Sequence, residues 1–214
     1  MKKQLSIISI GILFLIFTSC VTTGNPNANT FSSSGKSTIG NMVISVDDFE
    51  GTTTSTHKDI GIDFESGTFG LYLEPVFKYD ENNISFLLCT KLMNFGEAYK
   101  FSKIIMIGDT GKMTINYYSK QNIESSYSGS VMLGNKNETT VYETLTQKEY
   151  LLISRFFEEN PKIRLALYTQ DNSAKEFKEY STRAHKIFAD AYSFYQENLS
   201  EKNDIGIATG LIIQ

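Results

Sequence analysis

Two histidines, two cysteines and a scatter of carboxylates are the groups in this 214-residue chain that could do chemistry, and their spacing limits what they can do. His57, Asp59, Asp63 and Glu65 share a parity, so on one face of a strand they would offer nitrogen and oxygen ligands. A zinc site needs three or four such ligands converging. The same alternation, with Ile60, Ile62 and Phe64 between them, is also that of a strand with one solvated face. His185 is remote in sequence, no cysteine pair accompanies either histidine, and neither a metal nor a cofactor is expected. Cys89 ends the apolar run Ile84-Ser85-Phe86-Leu87-Leu88-Cys89, which reads as a buried strand in which cysteine acts as a small hydrophobe.

Hydrolytic chemistry leaves no clearer trace. Glycosidases need two carboxylates placed by the fold, and Asp47, Asp48, Glu50, Glu65 and Glu74 are present as on any acidic surface, while tryptophan, the usual sugar-stacking platform, is absent. Neither Tyr127-Ser128-Gly129-Ser130 nor Ser66-Gly67-Thr68-Phe69-Gly70 matches the G-x-S-x-G nucleophile elbow. Gly108-Asp109-Thr110-Gly111 lacks the Lys and Ser/Thr of a phosphate loop and reads as a hairpin turn. No catalytic residue is assigned. The tyrosines concentrated after residue 110, among them Tyr117, Tyr142, Tyr150 and Tyr195, suit a core rim or an interface.

Cys20 is different. Met1-Lys2-Lys3, the apolar run Leu5 to Phe17 and then Thr18-Ser19-Cys20 have the basic, apolar and small-residue zones of an export signal. These residues resemble a bacterial lipoprotein signal peptide, with Phe17 where the usual lipobox has Leu. The resemblance implies cleavage before Cys20 and a lipidated Cys20 that holds the protein on a membrane of the cell envelope, facing the periplasm or the exterior. An uncleaved spanning helix would need about 20 apolar residues, and the run here is shorter and broken by Ser6, Ser9 and Gly11.

Loss of residues 1–19 removes Lys2 and Lys3, so the net charge of −4 becomes −4 − 2 = −6. Such a chain, with its cations scattered, has no footprint for nucleic acid, and its net charge opposes an anionic surface. Residues 20–40 are mostly Ser, Thr, Asn, Gly and Pro and read as a flexible tether with a reach of roughly 25 Å.

Residues 41–214 read as a single α+β domain, an antiparallel sheet-rich unit with two C-terminal helices packed on the sheet. Met42, Ile44 and Val46 alternate with Val43, Ser45 and Asp47, as do Phe69, Leu71 and Leu73 with Gly70, Tyr72 and Glu74. Further strands are expected at 84–89, 104–107 and 113–118, and Pro75 is expected to break a strand at an edge or bulge. Thr146 and Glu149 form a capping box, Leu152, Ile153, Phe156 and Phe157 a helical stripe, and Asn160-Pro161 a stop. Residues 163–167 and 175–180 are expected to pair as a hairpin, with a helix from about Thr182 burying Ala184, Ile187, Phe188, Ala191, Tyr195 and Leu199. A single helix over 174–199 is the competing reading. The tail from Asp204 is apolar enough for a last strand. The expected function is a non-catalytic module that binds an envelope protein or polymer; a small-ligand carrier with an apolar pocket and an exported hydrolase are the alternatives.

Overall fold

The computed structural model describes residues 35–59, 64–66, 69–127, 134–171, 174–181, 184–206 and 211–213. All belong to one unit, Ser32–Gln214. Among the described residues the chain runs β1 (Gly35–Ile39), β2 (Met42–Asp47), β3 (Thr52–His57), β4 (Phe64–Ser66), β5 (Phe69–Tyr79), β6 (Asn83–Phe95), β7 (Phe101–Ile107), β8 (Lys112–Asn116), β9 (Asn122–Tyr127) and β10 (Asn135–Leu145). Then come α1 (Gln147–Glu159), β11 (Lys162–Thr169), β12 (Ala174–Ser181), α2 (Ala184–Asn198), β13 (Asn203–Asp204) and β14 (Ile212–Ile213). The α+β reading holds: the strands pair antiparallel, apart from the short β13 lying parallel to β6, and the two helices come late in the chain.

One sheet has the order β1-β2-β3-β5-β6-β10-β9, with β4 beside β5 and β13 beside β6; the other has the order β12-β11-β7-β8-β14. The inner faces of both, and the apolar stripes of both helices, meet in one core that includes Leu73, Phe77 and Phe86, Ile104 and Leu167, and Phe157 and Phe188. Alternation explains the sheet contribution: in β6, Ile84, Phe86, Leu88, Thr90, Leu92 and Asn94 are buried on one side. Aromatic rings tie helices to sheet, with Phe77 on β5 5.4 Å from Tyr150 of α1 and 6.2 Å from both Phe194 and Tyr195 of α2.

Local chemistry sets the ends of the elements. Thr146 and Glu149 make the expected capping box, the hydroxyl accepting from the Glu149 amide at 3.2 Å and the Glu149 carboxylate accepting from the Thr146 amide at 2.9 Å. At the far end of α1 the Asn160 amide donates to the Phe156 carbonyl and its oxygen accepts from the Thr110 amide at 2.9 Å, so the helix stop also seats the β7–β8 turn. Gly108 is required there, because a Cβ would lie 2.2 Å from Asn160 Oδ1. Asp80 turns the β5–β6 hairpin by accepting from the Asn82 and Asn83 amides, both at 2.8 Å, which holds its carboxyl below the usual carboxylate range.

Residues 174–181 are strand β12, paired with β11, so the hairpin reading stands and the single helix does not. Two expectations need correction. Pro75 does not break its strand: β5 runs through it, opposite Leu88 of β6. On its other flank β3 pairs with residues 76–79 and β4 with residues 69–71, so Pro75 falls in the gap between them, where a missing N–H costs no described ladder bond. The second correction is β1, which lies inside the stretch that reads as tether. Its five residues are all exposed, and its ladder with β2, closed by the Gly40-Asn41 turn with Gly40 at φ +58°, supplies what composition cannot register. A chain starting at Gly40 is therefore predicted to melt within about 5 °C of one starting at Val21, checked by circular dichroism. Loss of cooperative unfolding in the shorter chain would place β1 in the folding core.

The chain changes sheets twice before β10, and buried polar side chains mark both places. Between β6 and β7, Asn137 Nδ2 donates to the Gly96 carbonyl at 2.8 Å and the Thr139 hydroxyl donates to the Tyr99 carbonyl at 2.8 Å. Between β8 and β9, the buried Glu143 carboxylate accepts from the Tyr118 and Ser119 amides, each at 2.6 Å, and from the Ser119 hydroxyl at 2.9 Å. Strands that switch sheets leave backbone groups off both ladders; these side chains take them up.

Candidate functional site

The most developed side-chain constellation joins the β1–β2–β3 edge to α2. The parity of β3 that buries Ser55 also turns His57 inward, and its register partner Met42 brings Asn41 of the adjacent turn alongside. Asp190 stands on α2 at the border of the buried stripe that contains Ile187 and Ala191. Its Oδ2 accepts from Asn41 Nδ2 at 2.7 Å and lies 3.2 Å from His57 Nε2. The Asp59 backbone amide donates to His57 Nδ1 at 3.1 Å. This network assigns the imidazole proton to Nε2, where it points at the carboxylate.

Burial opposes the Asp190 charge, but the hydrogen bonds from Asn41 and His57 and the charge of Lys186 outweigh it and hold the carboxyl below the usual range. The folded value lies below the unfolded one. The interaction therefore stabilises the fold at neutral pH, and that contribution is lost as pH falls through the folded value.

As chemistry, the arrangement is closed. A general base must present a nitrogen to the proton it takes, and in a Ser-His-Asp site one ring nitrogen faces the nucleophile while the other holds the acid. Here Nε2 is committed to Asp190 and Nδ1 to Asp59, and the imidazole side chain is 0% exposed. The histidine is a clip between sheet edge and helix. Outside it lies a cleft of about 260 Å³ lined, among the described residues, by Asp59, His185, Lys186 and Ile187.

Of the sequence-selected ligand set, His57 and Asp59 are joined through the backbone amide of Asp59 and do not share a solvated strand face. The side chains of Asp63 and Glu65, like Cys20, fall outside what is described. Among the described residues no group of three or more His, Cys, Asp or Glu could hold a metal.

Cys89 is buried, as its apolar run implies, but on the outward side of the first sheet, where its cross-strand partners are Glu74 and Tyr142. Burial, reinforced by the Glu74 charge, pushes its thiol up to about 11, so the thiolate that a nucleophile needs is scarce at neutral pH. Burial also raises the Glu74 carboxyl, against the charge of Lys91. Lys91 pairs with Glu138 at 2.9 Å.

The other carboxylates have local work: Asp47 accepts from the Phe49 and Glu50 amides, and Glu50 pairs with Lys78 at 3.0 Å. Tyr117 and Tyr150 are core residues, Tyr117 sharing a 2.8 Å hydrogen bond with Thr90, whereas Tyr118 and Tyr142 are exposed. Neither Asp190 nor Asn41 stands out in the sequence. Their partners lie 133 and 149 residues away, and nothing local signals the encounter. No family model, no curated protein and no solved structure matches this chain.

Proposed function

We propose that the chain is an exported bacterial lipoprotein, held on an envelope membrane through a lipidated Cys20 and facing the periplasm or the exterior. Its α+β domain acts there as a non-catalytic binding or structural module for an envelope protein or polymer. The observation that carries this reading is the order of Lys2-Lys3, the apolar run 5–17 and Thr18-Ser19-Cys20. Two or more acyl chains on one residue hold a protein stably where a single chain does not. The binding role is supported by what the reactive side chains are committed to. His57 spends both nitrogens on the fold, and the Cys89 thiol is kept protonated beneath its neighbours.

The test is Cys20→Ala in a bacterial host fed a labelled fatty acid. The expected result is an unprocessed precursor without acyl label, beside a shorter, labelled wild-type product. Equal labelling and equal size of the two proteins would overturn the proposal.

A further inference from the structure

The outward positions of β7, β8 and β11 form three cross-strand rows. Lys112, Ile107 and Arg164 are register partners at one end, Thr114, Ile105 and Ala166 in the middle, and Asn116, Lys103 and Tyr168 at the other end. Lys103 Nζ lies 4.5 Å from the centroid of the Tyr168 ring, so the two share this face, while Ile104, Met106, Met113, Ile115, Leu165 and Leu167 are buried on the opposite one. The three rows contain no carboxylate. Lys103, Lys112 and Arg164 enter none of the ion pairs found among the described residues. Ile107 stands 44% exposed between two of these cations. Lys162 occupies the next outward position of β11; the flanking acids are Asp109, in the β7–β8 turn, Glu176, opposite Ala166 on β12, and Glu179, in the irregular part of β12 across from Arg164.

A chain that is acidic overall thus carries one sheet face of the opposite sign, with an exposed aliphatic side chain inside it. We propose that this face docks on an anionic lipid surface, the headgroups of the membrane that holds the domain; the inference rests on the anchored reading given above. Three features favour lipid. The surface is a sheet face rather than a groove, so it suits a plane. Cation, isoleucine and cation in one row match an interface of phosphates over acyl chains, with the cations at headgroup level and the aliphatic group below. An anchored domain also meets its own membrane at high effective concentration, so a few weak attractions suffice to orient it. A single-stranded anionic polymer would look for open aromatic faces, and Tyr168 already has Lys103 over its ring.

The experiment uses the full chain purified from a bacterial host and reconstituted in vesicles of phosphatidylcholine, alone or with about 30% phosphatidylglycerol, the anionic share being what sets the surface potential. An environment-sensitive label is placed at Ile107→Cys, or at Ile123→Cys on β9 as a control; native Cys89 is buried. Quenching by neutral acrylamide at position 107 is expected to fall about threefold in the anionic vesicles and to recover in roughly 0.5 M salt. The change should vanish with Lys112→Glu and Arg164→Glu, and position 123 should not respond. Protein that floats with both vesicles but quenches equally in them overturns the docking alone. Protein that floats with neither overturns the anchored reading and the docking with it. Equal protection by soluble polyphosphate in neutral vesicles would assign the face to an anionic polymer instead and overturn lipid docking.

Discussion

Phe188→Ala is expected to lower the unfolding free energy by about 3 to 5 kcal/mol, the range for removing a wholly buried phenylalanine. The ring is fully buried and sits 5.0 Å from Phe157 and 5.9 Å from Tyr150, both on α1, and the Tyr150 hydroxyl donates to the Phe188 carbonyl at 3.3 Å. From sequence, Phe156 and Phe188 are the residues expected to anchor the helices on the sheet. Both are buried, yet the ring contacts of Phe188 run to the other helix, and the contacts between sheet and helix pass through Phe77 and Phe86 to Tyr150 and Tyr195. The cavity left by Phe188→Ala would therefore loosen α1 and α2 together, and the loss should appear in urea unfolding as a lower midpoint with an unchanged slope. A loss under about 1 kcal/mol would mean that the helix–helix seam is not where the stability of the pair lies.

Glu143→Ala is expected to cost about 1 to 3 kcal/mol, because it removes the buried carboxylate that accepts from the Tyr118 and Ser119 amides and the Ser119 hydroxyl. Glu143→Gln keeps an acceptor oxygen for the amides and should recover roughly half of that loss. The pair of variants separates carboxylate from shape: equal losses in both would show that the charge, not the hydrogen-bond geometry, secures the crossing from β8 to β9. No measurable loss in either would remove Glu143 from the account of how the two sheets are joined.

Elements governed by neighbours within four residues were legible in the sequence. The Thr146 capping box, the α1 and α2 stripes and the β11–β12 hairpin all rest on local periodicity or local hydrogen bonding. What escaped was set by residues far apart. Pro75 is tolerated because β3 and β4 leave a gap beside it, β1 forms because β2 offers a ladder, and Asp190 is drawn inward by a histidine 133 positions earlier. Glu143 looks like any acidic residue in an alternating strand until the β8–β9 crossing is laid against it. The candidate site was thus visible as single residues, with His57 the first of them, and invisible as a constellation.

The geometry of β1 has a mechanical consequence. Its ladder runs from Gly35, opposite Val46, to Ile39, opposite Met42 at the tight turn, so the open end of the hairpin is the end where the chain enters the domain. A pull transmitted through the N-terminus bears on Gly35 first and parts the ladder one pair at a time, in the manner of a zip rather than a shear. With no side chain of β1 buried, nothing but those backbone bonds resists, and each yields separately. The strand is a fuse: tension is spent on lengthening the leash by five residues before it reaches β2, whose Met42 and Ile44 are rooted in the core.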